Sequence, residues 1–290
     1  MNHAFIIQAH AYPNLLDNIL RIWHAPNHYF FIHIDKKYKK IQDFIDITKC
    51  YDNIIFLQKR MNINWGGSMQ FRLTLQLLRM AKEYPVVFDY YHLLSGQDFP
   101  CCNNTKFDDF FEKHNGYSYM FYDQIVYTEK YRKRVNAVFL NDIFNQRSRF
   151  HWFKNKLEGI LSRMIHRSEI PNLRGGWSWF SWNKKVVNYV LSYIKEHPLY
   201  LHRFKYTSCG DELFFHTLLY PKLKDLNIIS NNSLRFIVWN PKRAYTSLPL
   251  ILEETEFEEL KDSGALFCRK VDPLKSKQLM QRIENELIKQ

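Results

Sequence analysis

The sequence predicts an α/β fold with a mostly parallel central sheet, a single domain over residues 1–290 that carries one helical and aromatic insertion. Three observations predict it. Over the first hundred residues, short apolar runs alternate with segments whose apolar residues recur at helical spacing, the pattern of strands joined by crossover helices. Polar residues stand where those runs end, Asp35 after one and Asp98 after another, and α/β sheets bind ligands at the carboxyl ends of their strands. The composition, 46% hydrophobic and 17% aromatic in 290 residues, supplies a sizeable core and excludes a disordered chain.

Taken in order, Ala4 to Ala9 is an apolar run of strand length ending at His10-Ala11-Tyr12-Pro13, and Leu15, Leu16, Ile19, Leu20, Ile22 and Trp23 follow at helical spacing. Tyr29 to Ile34 repeats the pattern, ending at Asp35-Lys36-Lys37 before a helix from Ile41 to Ile47. Asn53 to Leu57 is a third strand candidate. The glycines of Asn64-Trp65-Gly66-Gly67-Ser68 mark a turn, and Ser68 is placed to cap a long helix from Met69 to Tyr84. Tyr90 to Leu94 is a strand ending in Ser95-Gly96-Gln97-Asp98-Phe99-Pro100.

From about Gly116 to Asn172 the alternation fails. Basic and aromatic residues mix in Tyr127 to Arg134 and in Arg147 to Trp152, so 116–172 reads as an excursion from the sheet with helical parts such as Lys154 to Ile165. Strand composition returns at Gly175 to Trp182, and Lys184 to Ile194 is a helix. Thr207-Ser208-Cys209-Gly210 then delivers Asp211-Glu212 to the start of an apolar helix. A strand at Leu234 to Trp239, a helix at Glu253 to Lys261, a strand at Ala265 to Lys270 and a helix from Pro273 to Lys289 close the chain.

Forty-one Lys and Arg against 29 Asp and Glu give a formal charge of +12, which suits phosphorylated ligands, polyanions or an anionic membrane surface. The cysteines are odd in number and show no CxxC spacing, so reduced thiols are expected instead of disulfides or a zinc site. The N-terminus lacks the make-up of a signal peptide and no run of about 18 apolar residues occurs, so a cytoplasmic protein is expected. Phosphate-loop, dinucleotide, nucleophile-elbow and zincin motifs are all missing, as is an Asp-x-Asp for holding a divalent metal at a strand end.

Several residues can carry chemistry, each with a plainer alternative. Asp35 is a ribose or base ligand, or a turn residue. Trp65-Gly66-Gly67 allows close approach of a ligand, or is only a turn. Asp98 is held by the Phe-Pro that follows it, or merely initiates that turn. Trp177, Trp179 and Trp182 alternate as a sugar-stacking face would, or as core residues do. Glu212 is a base, or an acid favoured by a helix N-terminus with Asp211 as the alternative cap. Arg269-Lys270 on one strand sends its two cations to opposite faces, one of them towards a site. His10, His33, His92 and His216 share no metal-ligand spacing and default to structural roles, while the basic insertion matches no common nucleic-acid module, so nucleic acid is not expected.

Together, Phe31 to Lys37, Trp65 to Ser68, Leu93 to Pro100, Gly176 to Phe180, Asp211 to Thr217, Leu234 to Trp239 and Ser263 to Pro273 resemble the core-2/I-branching glycosyltransferases. That family, glycosyltransferase family 14, comprises β-1,6-N-acetylglucosaminyltransferases and peptide O-xylosyltransferases. The seven matches are collinear and span nearly the whole chain. The resemblance implies a GT-A-like, Rossmann-related fold that uses a UDP-sugar, inverts the anomeric centre and needs neither metal nor cofactor. It makes Glu212 the catalytic base and Lys270 one of two cations that stabilise the leaving diphosphate.

The family's Ser-His-Pro-Arg falls on Ser247-Leu248-Pro249-Leu250, so either Arg243 or Arg269 supplies the second cation, or phosphate binding differs here. Asp35 matches the uridine-side acid, Trp65, Gly66 and Gly67 the nucleotide edge, and Asp98 and Trp177 positions near the transferred sugar. On this reading residues 1–115 bind nucleotide, 116–172 face the acceptor through Arg132 and Arg134 with Trp179 beside them, and 173–290 hold the catalytic and phosphate-binding groups. The expected donor is UDP-N-acetylglucosamine, with UDP-xylose second because Phe214-Phe215-His216-Thr217 looks closer to the xylosyltransferase branch. The expected acceptor is a glycan or lipid-linked glycan of bacterial surface polysaccharide or lipo-oligosaccharide, reached by peripheral contact with the cytoplasmic membrane face. A non-enzymatic, basic polyanion-binding protein is the alternative from another class.

Overall fold

Apolar side chains on both faces of the first strand decide the layering. The structure, a computed structural model, describes residues 1–123, 129–145 and 150–289. β1 (His3–Ala9) is buried along almost all its length, as a strand covered on both faces must be. It leads through α1 (Pro13–Trp23), β2 (His28–Ile34), α2 (Ile41–Thr48), β3 (Ile54–Phe56) and α3 (Met69–Lys82) to β4 (Tyr90–Ser95). β1 pairs in parallel with β2 and β4, and β2 with β3, so this half follows its hydrophobic periodicity.

The chain continues through β5 (Asp98–Pro100), α4 (Asn104–Lys113), β6 (Ser118–Tyr122), α5 (Glu129–Asn136), α6 (His151–Met164), β7 (Gly176–Asn183), α7 (Lys184–Glu196), α8 (Pro198–Arg203) and α9 (Phe214–Leu219). It ends with β8 (Ile228–Ile229), β9 (Arg235–Ile237), α10 (Phe257–Asp262), β10 (Phe267–Arg269) and α11 (Lys277–Ile283). The central sheet runs in the order β3-β2-β1-β4-β7-β6-β8. β7 alone reverses direction, antiparallel to β4 and to β6, while β6 and β8 pair in parallel. This is the mostly parallel α/β sheet expected. A smaller sheet, β5-β10-β9, lies beside it and carries Asp98 opposite Arg269.

Strand alternation splits the core. Phe5, Ile7, Phe30, Ile32, Tyr90 and Leu94 point to one face, where α1, α4, α10 and α11 cover them. Ala4, Ile6, Phe31, Tyr91 and Leu93 point to the other, beneath α3, α7 and α9. Among the described residues no helix is long and apolar enough to cross a membrane.

Three expectations need correction. Ser118–Tyr122 belongs to the central sheet, so the departure from alternation begins after Tyr122 and not at Gly116. Ser68 does not cap α3 with its side chain. Its hydroxyl donates instead to Asp142 Oδ2 at 2.6 Å, and Asp142 accepts the Ser68 and Met69 amides at 3.1 and 3.0 Å. Asp211 does not cap the helix after it; it lies within a single 3₁₀ turn, Gly210–Glu212. Tyr127, Thr128 and Arg147 to Arg149, assigned to the basic aromatic stretches, lie outside the described residues.

Candidate active site

The Asp-Glu turn is built by backbone contacts before its side chains act. Cys209 adopts φ 47° and donates its amide to the Gly66 carbonyl at 2.8 Å, which docks the turn on the glycine turn ahead of α3. Asn141 reinforces the joint by donating to the same carbonyl at 2.9 Å. Gly67 must lack a side chain, because a Cβ there would meet Asp142 Oδ1 at 2.2 Å. From α5, Arg134 donates to the Ser208 and Cys209 carbonyls at 3.0 and 2.6 Å and pairs with Glu212 Oε2 at 2.9 Å. Tyr131 lies under that guanidinium, 5.3 Å from ring centre to Arg134 Cζ.

The two acids therefore meet different surroundings. Asp211 Oδ2 accepts from the Ser178 hydroxyl at 2.7 Å, while its Oδ1 is buried without a hydrogen-bond partner. Burial pushes its pKa up, opposed by Ser178 and Arg134. The Glu212 side chain keeps 37% exposure, and Arg134 fixes one of its oxygens. Of the pair, Glu212 is the acid that an incoming hydroxyl can reach.

A cationic cluster stands across the strand ends. Arg269 is buried, 3.5 Å from Asp98 Oδ1 and 3.6 Å above the Trp179 ring centre. Burial works against its charge, and Asp98 and Asp211 sustain it. The other Asp98 oxygen accepts the Ser95 amide, so Asp98 is a clamp between the β4–β5 turn and β10. Lys270, next on the chain, is half-buried. Exposed His10 at the end of β1 lies within reach of Asp35, Lys37, Lys270 and Arg269; desolvation and the three cations lower its pKa while Asp35 raises it. Asp35 itself is held by the Lys37 amide at 2.8 Å and the Ile63 amide at 3.3 Å, with Lys37 Nζ 3.6 Å from its Oδ2.

The remaining expected residues divide. Trp65 is 66% exposed, whereas Gly66 and Gly67 are occupied by packing against Cys209 and Asp142. Trp177 stacks on Phe121 at 4.2 Å and borders a cavity of about 250 Å³ shared with β9 and the loop before β10. One face of Trp179 is covered by Arg269. Arg132 is half-buried on α5, and Arg134 is drawn to Glu212 instead of the surface. Arg243 is bidentate to Glu256 at 2.9 and 3.1 Å and 3.2 Å from Glu253, so two carboxylates already hold its charge. Leu250 is buried in the apolar core. Of the two residues proposed as second cation, Arg269 is the one joined to Asp98, and its charge is felt at His10.

Sequence reasoning gave His10 only a structural role and gave Lys37, Ser178 and Asp142 none. His10 and Lys37 had a signal, since both follow strand ends as Asp35 does. Ser178 and Asp142 had none, because each acts on a partner distant in the chain. His216 is structural as assumed: its Nε2 donates to the Phe121 carbonyl at 3.0 Å, and burial lowers its pKa to about 3.

The chain is 28% identical to human xylosyltransferase 2 over 232 residues, covering 78% of this chain and 25% of that protein. It is 26% identical to rat xylosyltransferase 1 over 253 residues, covering 82% and 28%. It thus spans about a quarter of the length of these relatives. Among solved structures it is similar to Staphylococcus aureus TarS 1-349, with 12% identity, 75% and 55% of the two chains covered and a TM-score of 0.37. A family model described as Core-2/I-Branching enzyme matches residues 3–261. The chain belongs to the core-2/I-branching enzyme family of glycosyltransferases, and the polyanion-binding alternative gives way to it.

Proposed function

We propose that this chain transfers a sugar from a UDP-sugar to a hydroxyl of a glycan or lipid-linked glycan, with inversion and without a metal. The observation that carries the reading is Glu212, a half-exposed carboxylate fixed by Arg134 across the strand ends from Arg269 and Lys270. Glu212 takes the acceptor hydroxyl's proton as that oxygen bonds to the anomeric carbon, a contribution of about 10²–10⁴-fold. The bond from that carbon to the diphosphate breaks in the same step. Charge developing on UDP meets Lys270 and Arg269, with His10 and Lys37 beside them, and fixed cations can supply what a divalent ion supplies elsewhere. Asp35 faces the nucleoside, and α5 with the rest of 116–172 faces the acceptor.

The relatives reverse the order of donors expected from the motifs: xylosyltransferases support UDP-xylose ahead of UDP-N-acetylglucosamine. UDP release from each donor, measured with EDTA present, tests both points. Faster release from UDP-xylose, undiminished by EDTA, is expected; turnover that requires an added divalent ion would overturn the metal-free step. Peripheral contact with the cytoplasmic membrane face belongs to the same proposal, supported by the outward side of α6, which carries Trp152, Phe153, Ile160 and Met164 beside Lys156 and Arg163.

A further inference from the structure

A second cluster of ionisable side chains lies at the opposite end of the strands. His3 and His28 open β1 and β2, and the parallel register makes them direct neighbours. Asp108 reaches them from α4. His28 Nε2 stands 2.7 Å from Asp108 Oδ1 and His3 Nε2 stands 3.5 Å from the same oxygen, with all three atoms within 4.8 Å of one another. Both imidazoles are fully buried, while the Asp108 side chain is 26% exposed.

Hydrogen placement makes the cluster unusual. His28 Nδ1 lies 2.5 Å from the Trp23 carbonyl oxygen, which can only accept, so that nitrogen carries the ring proton. A neutral His28 then turns a bare lone pair at Nε2 towards a carboxylate oxygen, and two acceptors that close need a proton or a cation between them. His3 Nδ1 is 3.0 Å from His92 Nε2, and His3 Nε2 is left buried with no hydrogen-bond partner, aimed at the same gap. Asn27 donates to Asp108 Oδ2 at 2.9 Å, which turns Oδ1 to the histidines. Each of the three groups is thus oriented from behind, as metal-binding imidazoles and carboxylates are.

We propose that His3 Nε2, His28 Nε2 and Asp108 Oδ1 form a structural site for a zinc-class divalent cation, with solvent completing the shell on the Asp108 side. Two imidazoles and one carboxylate favour zinc over magnesium or calcium. Tetrahedral bonds of about 2.0–2.2 Å space their ligand atoms roughly 3.3–3.6 Å apart, which the 3.5 Å separation of His3 Nε2 from Asp108 Oδ1 already meets and the 2.7 Å separation at His28 would reach by opening less than about 1 Å. Phe5, Phe107 and Phe111 pack around the imidazoles and keep water from that side. The ion would tie the starts of β1 and β2 to α4. His3 and His10 bound opposite ends of β1, roughly 23 Å apart at strand rise, so the site is separate from the transfer chemistry and does not rest on that reading.

The test is a Co²⁺ titration of the chelator-stripped, folded protein, followed by melting curves with and without Zn²⁺. One equivalent of Co²⁺ should bind with the visible absorption of a tetrahedral site, Zn²⁺ should displace it and raise the melting temperature, and UDP release well below that temperature should stay the same. Asp108→Asn and His28→Gln should each weaken Co²⁺ binding by roughly 10–100-fold or more. If His28→Gln does not fold, the partly exposed Asp108→Asn carries the comparison. Wild-type protein that takes up no stoichiometric Co²⁺, or binding unchanged in Asp108→Asn, would overturn the site.

Discussion

At the turn 209–213, two adjacent acids divide by burial, and a distant arginine decides which one is useful. Arg134 was expected to touch the acceptor; its contacts make it a positioning residue for Glu212 and a brace for the Ser208 and Cys209 carbonyls. Arg134→Ala should lower kcat about 10–100-fold, the value of a charge-assisted hydrogen bond of about 1.5–3 kcal/mol, with the donor KM within roughly two-fold. Arg134→Lys should restore part of kcat. Steady-state kinetics check this: equal losses in kcat and donor affinity would mean that the turn has simply collapsed. The turn that presents Asp211 and Glu212 was legible from its motif, but its pairing with Arg134 was not, because a contact between distant chain segments leaves no local pattern.

His33 makes a prediction about pH. Its Nε2 accepts the Met61 amide at 2.9 Å, and burial, partly offset by Asp35, lowers its pKa to about 4. The unfolded chain takes up a proton near pH 6.5 that the folded chain refuses until about 4. The stability His33 provides is therefore fully present above about 6.5 and lost as pH falls towards 4, up to about 3 kcal/mol. Urea denaturation at several pH values should show a shallower loss in His33→Gln than in wild type across that window. Equal slopes would assign the acid sensitivity to other groups.

At the scale of elements, α6 is turned inside out. Lys154 is buried and donates to Asn141 at 2.6 Å, and Glu158 accepts the Leu140 amide at 2.6 Å, so polar groups face inward. Trp152 at 69% and Met164 at 76% exposure face outward. Periodicity located this helix correctly but could not tell which face is buried, since both carry apolar and charged residues. Because Trp152 and Phe153 are exposed, Trp152→Ala with Phe153→Ala should leave the melting temperature nearly unchanged and reduce co-sedimentation with anionic vesicles several-fold. Binding equal to wild type would remove α6 from the membrane proposal.

Other elements mark where sequence reading fails for physical reasons. α4 had legible signals in Asn103, which accepts the Lys106 amide at 2.9 Å, and in Phe107 and Phe111 at helical spacing, yet two apolar anchors in ten residues are a thin pattern. β8 is two residues long, and at that length a strand exists only through its neighbours, whereas β9 falls inside the strand expected at Leu234 to Trp239. The cap of α3 was misassigned because Ser68 occupies the right position while Asp142, from a distant loop, takes its hydroxyl and accepts the Ser68 and Met69 amides.

Over the whole molecule, the carboxyl edge of one sheet gathers His10 from β1, Asp35 after β2, Asp98 after β4, and Arg269 from the small sheet alongside. The mostly parallel character of the sheet and the ends of its first strands were legible because buried parallel strands read as continuous apolar runs. The small sheet β5-β10-β9 was not, and it is the antiparallel pairing of β10 with β5 within it that sets Arg269 opposite Asp98. The proposed transfer depends on one carboxylate set against fixed cations. The most direct measurement is the rate of UDP release from UDP-xylose by wild type and Glu212→Gln in EDTA, with UDP-induced thermal shifts recorded for both. Release should fall about 10²–10⁴-fold in Glu212→Gln with the thermal shift preserved; release at the wild-type rate would contradict Glu212 as the base.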